Sequence, residues 1–119
     1  MLFDTTQLAL ERTISGAAAR NEALAANLAN ANTPGYQRID VDFHGALASA
    51  MGAANPEDAL KQASFATVTD PTAFTRADGS SVDVDAESAK LAANGLEHSA
   101  AVTIAAARVQ TMRSAMGVA

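Results

Sequence analysis

Both ends of this chain carry small or apolar side chains in steps of four and three residues, and that spacing constrains the fold more than any other feature. From the N-terminus the steps run through Phe3, Leu10, Ile14, Ala17, Leu24, Leu28 and Ala31, with Gln7 and Asn21 filling the gaps. Near the C-terminus they run through Leu91, Gly95, His98, Val102, Ala105, Val109, Met112 and Met116. A mean step of about 3.5 residues is the seam of a coiled coil, narrower than the apolar face of a globular helix. A second ladder runs through Ala89, Ala92, Leu96, Ala100, Thr103 and Ala107. Two adjacent stripes give the C-terminal helix faces for more than one neighbour.

Start and stop signals frame these ladders. Asp4 is placed to cap a helix over residues 5–32, with Gln7 three positions on in the manner of a capping box. Pro34 ends that helix and Gly35 can adopt the positive φ of a turn. Gly16 weakens its middle by about 1 kcal/mol relative to Ala. A second helix is expected over 84–117. Asp83, Asp85 and Glu87 crowd its start, where the macrodipole favours acids, and Arg108 and Arg113 lie towards its end, where it favours cations. The two helices would be roughly 40 and 50 Å long at the standard rise. Between them, residues 42–51 read as a short helix stopped at Gly52, and Asn55-Pro56 starts another turn or two through Gln62. Residues 65–74 look extended, and Asp78-Gly79 is the tip of a turn.

The expected fold is therefore all-α. Two long terminal helices pack as an antiparallel coiled-coil hairpin, with a short middle helix and a loop-rich connector. The chain divides into an N-terminal helix (1–32), a turn, extended arm and loop-rich middle (33–82), and a C-terminal helix (83–119). The seam residues expected to drive self-association are Leu10, Ile14, Leu24 and Leu28 with Leu91, Val102, Val109 and Met112.

Composition explains why association matters. Of the 119 residues, 30 are alanine, and Leu, Ile, Val and Phe together number only 23. Burial stabilises by about 25 cal/mol per Å², and a methyl group offers little area. Ordering the backbone costs about 1–2 kcal/mol per residue. A chain of this kind is expected to complete its burial against other chains.

The same composition excludes several classes of function. A net charge of −5 without a basic run argues against nucleic acid. Zero cysteines remove disulfides, thiolate metal sites and cysteine nucleophiles. No segment approaches the roughly 18 apolar residues of a membrane span. The N-terminal Met1-Leu-Phe-Asp-Thr-Thr lacks the basic and apolar regions of a cleaved secretory leader, so none is expected. His44 and His98 have no ligand-spaced companion, so no metal is expected. Asp83, Asp85 and Glu87 are better explained by the helix dipole than by acid–base chemistry. There is no phosphate-binding glycine loop and no nucleophile elbow. No catalytic residue, small-molecule substrate or cofactor is expected.

The most specific segment runs from Leu24 to Phe43. A helix ending turns sharply into an extended arm: Asn27 and Asn30 share a helix face, Asn32-Thr33-Pro34-Gly35 makes the bend, and Tyr36 is an aromatic anchor. Asn27, Ala29-Asn30, Thr33, Pro34, Gly35 and Tyr36 resemble the N-terminal signature of the bacterial flagellar rod and hook proteins. The following Arg38-Ile39-Asp40-Val41-Asp42-Phe43 is similar to the arm of the proximal-rod (FlgB) family. From Asp78 to Leu96 the chain resembles that family's turn and the start of its C-terminal helix, including Val82, Asp83, Asp85, Asn94 and Leu96. The turn departs from it in one position, carrying Ser where the family's Asp-Gly-Asn would carry Asn. The short length favours the proximal rod over relatives with large inserted domains.

The resemblance implies export by the flagellar type III apparatus without a cleaved leader, and assembly into a helical tube in the periplasm. It implies as partners other copies, other rod proteins and the adaptor of the membrane ring. The tube would link that ring to the distal rod and transmit torque. The alternative is a soluble helical adaptor or chaperone-like module recognising one partner helix. Such a module would not need paired signatures at both ends.

Overall fold

The computed structural model describes residues 4–117. Phe3, at the head of the N-terminal ladder, lies outside the described residues. The molecule is mostly helical. In chain order it has α1 (Thr5–Ala29), β1 (Ile39–Asp40), α2 (Phe43–Met51), α3 (Pro56–Gln62), β2 (Val68–Thr69) and α4 (Val84–Ala115).

Each helix starts on a side-chain cap. Asp4 accepts from the Gln7 N–H, Asp42 from Gly45, Asn55 from Asp58, and Asp83 from Asp85 and Ala86. These bonds satisfy donors that the first helical turn leaves without intrahelical partners. The helix expected to reach residue 32 stops at Ala29, before Pro34 acts, because Asn30 closes it. The Asn30 side chain donates to the Ala26 carbonyl at 2.9 Å, and its N–H bonds the Ala26 and Asn27 carbonyls. The all-α expectation also needs one correction. Residues 39–40 and 68–69 form a two-stranded antiparallel ladder, Ile39 opposite Thr69 and Asp40 opposite Val68. The turn or two expected from Asn55-Pro56 through Gln62 is a second short helix, α3.

The long helices lie side by side with opposite index order: Asp4 meets Arg108, Ala17 meets Asn94, and Asn27 meets Glu87. The face of α4 that is buried or half-buried passes through Glu87, Leu91, Asn94, His98, Ala101, Ala105, Arg108 and Met112. This ladder shares Leu91, His98, Ala105 and Met112 with the expected one, but its alternate rungs fall one residue earlier. Asn94, Ala101 and Arg108 take the places expected of Gly95, Val102 and Val109, and Val102 is 42% exposed. The reason is polar. Asn94 and Arg108 hydrogen-bond α1, and these bonds fix the rotation of a helix whose remaining contacts are mostly methyl groups.

The core is small. Ala17, Ala23, Val41 and Phe43 form its centre, with Ile39, Leu47 and Phe65 packed on it. Half of the ten buried apolar residues described are alanines. The Cα envelope measures 62 × 33 × 14 Å and the radius of gyration is 17.5 Å, against about 13.5 Å for a compact domain of this length. The molecule is a slab too thin for a second layer.

Gly16 has a steric role that propensity alone conceals. A Cβ there would lie 2.5 Å from the Phe43 Cβ, so its absence lets α2 seat Phe43 against α1. Gly16→Val is expected to destabilise the chain by about 1–3 kcal/mol in urea denaturation despite the better helix former. An unchanged or raised midpoint would contradict this packing.

Candidate functional site

The segments that carry the resemblance, 24–43 and 78–96, come together at the end of α1. Gly35 and Gly79 both have positive φ, at 76° and 84°, which a side chain would strain. The Gly35 N–H donates to the Asp78 carbonyl at 3.0 Å, and the Ser81 N–H donates to the Tyr36 carbonyl at 2.9 Å. A Cβ on Gly79 would come within 3.2 Å of the Gly35 Cα, so the two turns stack backbone on backbone. Arg76 and Ser80 donate to the Ala31 carbonyl at 3.1 and 3.3 Å. A cation and a hydroxyl thus satisfy an acceptor just past the helix end. Thr33 donates to the Asn30 carboxamide oxygen at 3.2 Å, and Pro34 is exposed.

Asn27 holds the arm against α1. Its carboxamide oxygen accepts from the Ile39 N–H at 2.9 Å and from the Tyr36 hydroxyl at 3.3 Å. Its amide nitrogen donates to the Ile39 carbonyl at 2.7 Å and to Glu87 Oε2 at 3.0 Å. The side chain uses its four hydrogen-bonding positions and mimics the edge of a strand to residue 39. It is fully buried.

Arg38 and Glu87 form the centre. Both are buried. Arg38 Nε donates to Glu87 Oε1. Its other nitrogens reach Asp70 at 2.8 Å and Asp40 at 3.0 Å. Its backbone N–H donates to Ser81 Oγ at 2.7 Å, and its carbonyl accepts from the Asp70 N–H at 3.0 Å. Arg20 of α1 pairs with Asp40 at 2.8 Å. Burial works against the charge on Arg38, but its bonds to Glu87, Asp40 and Asp70 outweigh it and raise its pKa. Burial likewise opposes charge on Asp40, and Arg20, the Val41 N–H and Arg38 together hold its carboxyl below the usual value. Asp70 is lowered to about 2, by the Thr72 hydroxyl and N–H and then by Arg38. The clamp therefore joins α1, the arm, β2 and the first turn of α4 through charge-assisted bonds.

The structure distributes the sequence-selected residues as follows. Asn27, Asn30, Thr33, Gly35 and Tyr36 take part in the clamp or the stacked turns. Phe43 is fully buried, edge-on to Phe65 with centroids 6.5 Å apart. Val82 is buried, Asp83 caps α4, and Asp85 is exposed. Leu24 is buried, whereas Leu10, Ile14, Leu28, Leu91, Val109 and Met112 are half-buried. Asn94 is buried and donates to the Ala17 carbonyl at 2.8 Å. Leu96 is 75% exposed. Sequence reasoning missed Arg38, Glu87, Arg20 and Arg108. Glu87 reads as a dipole-compensating acid, yet it is the buried counter-ion of the arm. Its signal was its position, on the same rungs as Leu91 and Asn94.

Removing Glu87 takes the buried acceptor from Arg38 Nε and from the Asn27 amide, so Glu87→Ala is expected to cost about 3 kcal/mol. A loss below about 0.5 kcal/mol in urea denaturation would contradict the clamp. Asp40 and Asp70 have folded pKa values below the unfolded one of 3.8. Their stabilisation is complete above that value and lost as pH falls below it, for Asp70 towards about 2. The urea midpoint should fall across that window, and less so in Asp70→Asn. Equal acid sensitivity in the variant would contradict the assignment.

The profile of the family described as Flagella basal body rod protein matches residues 8–37. That stretch contains most of α1 and the turn through Tyr36. The flagellar basal body rod protein FlgB of Escherichia coli is 30% identical over 115 residues, covering 83% of each chain. FlgB of Salmonella typhimurium is 31% identical over the same share of each chain. FlgB of Yersinia enterocolitica is 30% identical, covering 83% of this chain and 84% of its own. With both signature segments clamped at one end of its helix pair, and with relatives matched over most of their length, the chain belongs to the FlgB family of flagellar basal body rod proteins.

Proposed function

We propose that this chain is a building block of the proximal rod of the bacterial flagellum. Its terminal helices form an antiparallel coiled-coil hairpin, and these hairpins pack side by side into a helical tube. The tube links the membrane ring, through its adaptor protein, to the distal rod, and it carries torque. The subunit reaches the periplasm through the type III export apparatus without a cleaved leader.

One observation carries this reading: the outer face of α4 is uncovered. The stripe of Ala89, Ala92, Leu96, Ala100, Thr103 and Ala107 is exposed along its whole length, and no Asp, Glu, Lys or Arg occurs from residue 98 to residue 107. An uncharged helix face on a slab 14 Å thick is suited to close packing against another helix. Small side chains let helix axes approach, so many copies can pack densely. Of the seam residues, Val102 faces outwards and is available to a neighbour, while Leu24 belongs to the core of the subunit. The clamp around Arg38 and the stacked turns at Gly35 and Gly79 form the stiff end through which load passes between helices and arm. Among the described residues no helix is long and apolar enough to cross a membrane.

Deleting the gene is expected to abolish motility and leave membrane rings without a rod. The protein itself should be found in purified basal bodies. Gly35→Val, strained by about 1–2 kcal/mol at positive φ, should reduce incorporation into basal bodies more than soluble expression. Motile deletion cells, with the protein in a small closed complex, would instead support the adaptor reading and overturn this one.

A further inference from the structure

A notch of about 470 Å³ opens between α1 and α4, lined among others by Ala17, Ala18, Glu22, Asn94, Gly95 and His98. Three features set it apart from an ordinary groove. First, Gly95 lies inside α4, where glycine costs helix stability, and a Cβ there would meet nothing within 4 Å. No contact among the described residues explains the missing side chain. Second, Asn94 is 1% exposed, and its carboxamide oxygen is buried without a hydrogen-bond partner among the described residues. An orphaned acceptor of this kind is costly unless a donor reaches it. Third, Glu22 is exposed at the rim and forms no ion pair among the described residues.

The complementary half is present in the same chain. After Glu97, α4 contains no acid. Val102 and Ile104 are 42% and 51% exposed, and Arg113 is exposed in the last turn, also without an ion pair among the described residues. We propose that the notch receives the C-terminal half of α4 from a second copy of this chain, with Arg113 of that copy pairing with Glu22 at the rim. The missing Cβ of Gly95 lets the two helices approach. Notch and α4 end are different surfaces, so each contact leaves one of each free and the association stays open-ended. This proposal rests on the rod reading and specifies which surfaces of two copies meet in it.

Charge exchange tests it. Glu22→Arg and Arg113→Glu should each reduce incorporation into basal bodies at least tenfold, with unchanged circular dichroism, and the double variant should recover most of it. Gly95→Leu extends into the notch, and its Cβ would meet nothing within 4 Å. It should raise Tm by about 3 °C or more and still abolish incorporation. Normal incorporation of Gly95→Leu, or failure of the double variant to recover beside folded single variants, would overturn the proposal while leaving the rod reading intact. Absence of the unaltered chain from basal bodies would overturn the rod reading and this proposal with it.

Discussion

The ion pair between Arg38 and Glu87 fixes what alanine cannot. Methyl groups pack almost equally well in neighbouring registers, so a pair of helices rich in alanine could slide with little penalty. Moving α4 by one residue would separate Glu87 from Arg38 and Asn27, Asn94 from the Ala17 carbonyl, and Arg108 from Asp4 and Gln7. These bonds are spread along the length of the pair. Each buried polar group left unpaired costs far more than a lost methyl contact. Register and rotation are thus set by polar contacts, and bulk apolar contact adds to a geometry already chosen.

That division explains how much of the molecule was legible in advance. The caps at Asp4 and Asn55, the acidic start of α4 at Asp83 and the turn at Asp78-Gly79 are local, and local rules find them. The long helices follow from the ladders, and Asn27, Gly35 and Tyr36 stood out because they lie within one continuous segment. The clamp was not legible, because it joins residues such as Arg38 and Glu87 that are far apart in the chain. Gly16 hid for the same reason, since its purpose lies in Phe43. The rotation of α4 escaped because two ladders share every second rung, and valines at 102 and 109 favour the wrong one. Only bonds from Asn94 and Arg108 to the other helix separate them.

On the proposed rod reading, stability and assembly divide between two faces of α4. The inner face pairs most of the buried polar groups of α4 and completes a thin subunit. The outer face keeps its apolar side chains in solvent, where they contribute nothing until a neighbour arrives. On the proposed rod reading, a chain with little bulk in its core would gain much of its burial on joining other molecules. The arm and stacked turns stay with the subunit throughout, because their hydrogen bonds are internal and already satisfied.

The exposed stripe on α4 can be followed directly, because the chain has no cysteine and one introduced at Thr103 is unique. Maleimide labelling of Thr103→Cys should be rapid in the free subunit and at least tenfold slower in isolated basal bodies, where a neighbouring helix covers the site. Equal labelling rates in the two states would show that this face stays in solvent, and the account of α4 as the assembly surface would be wrong.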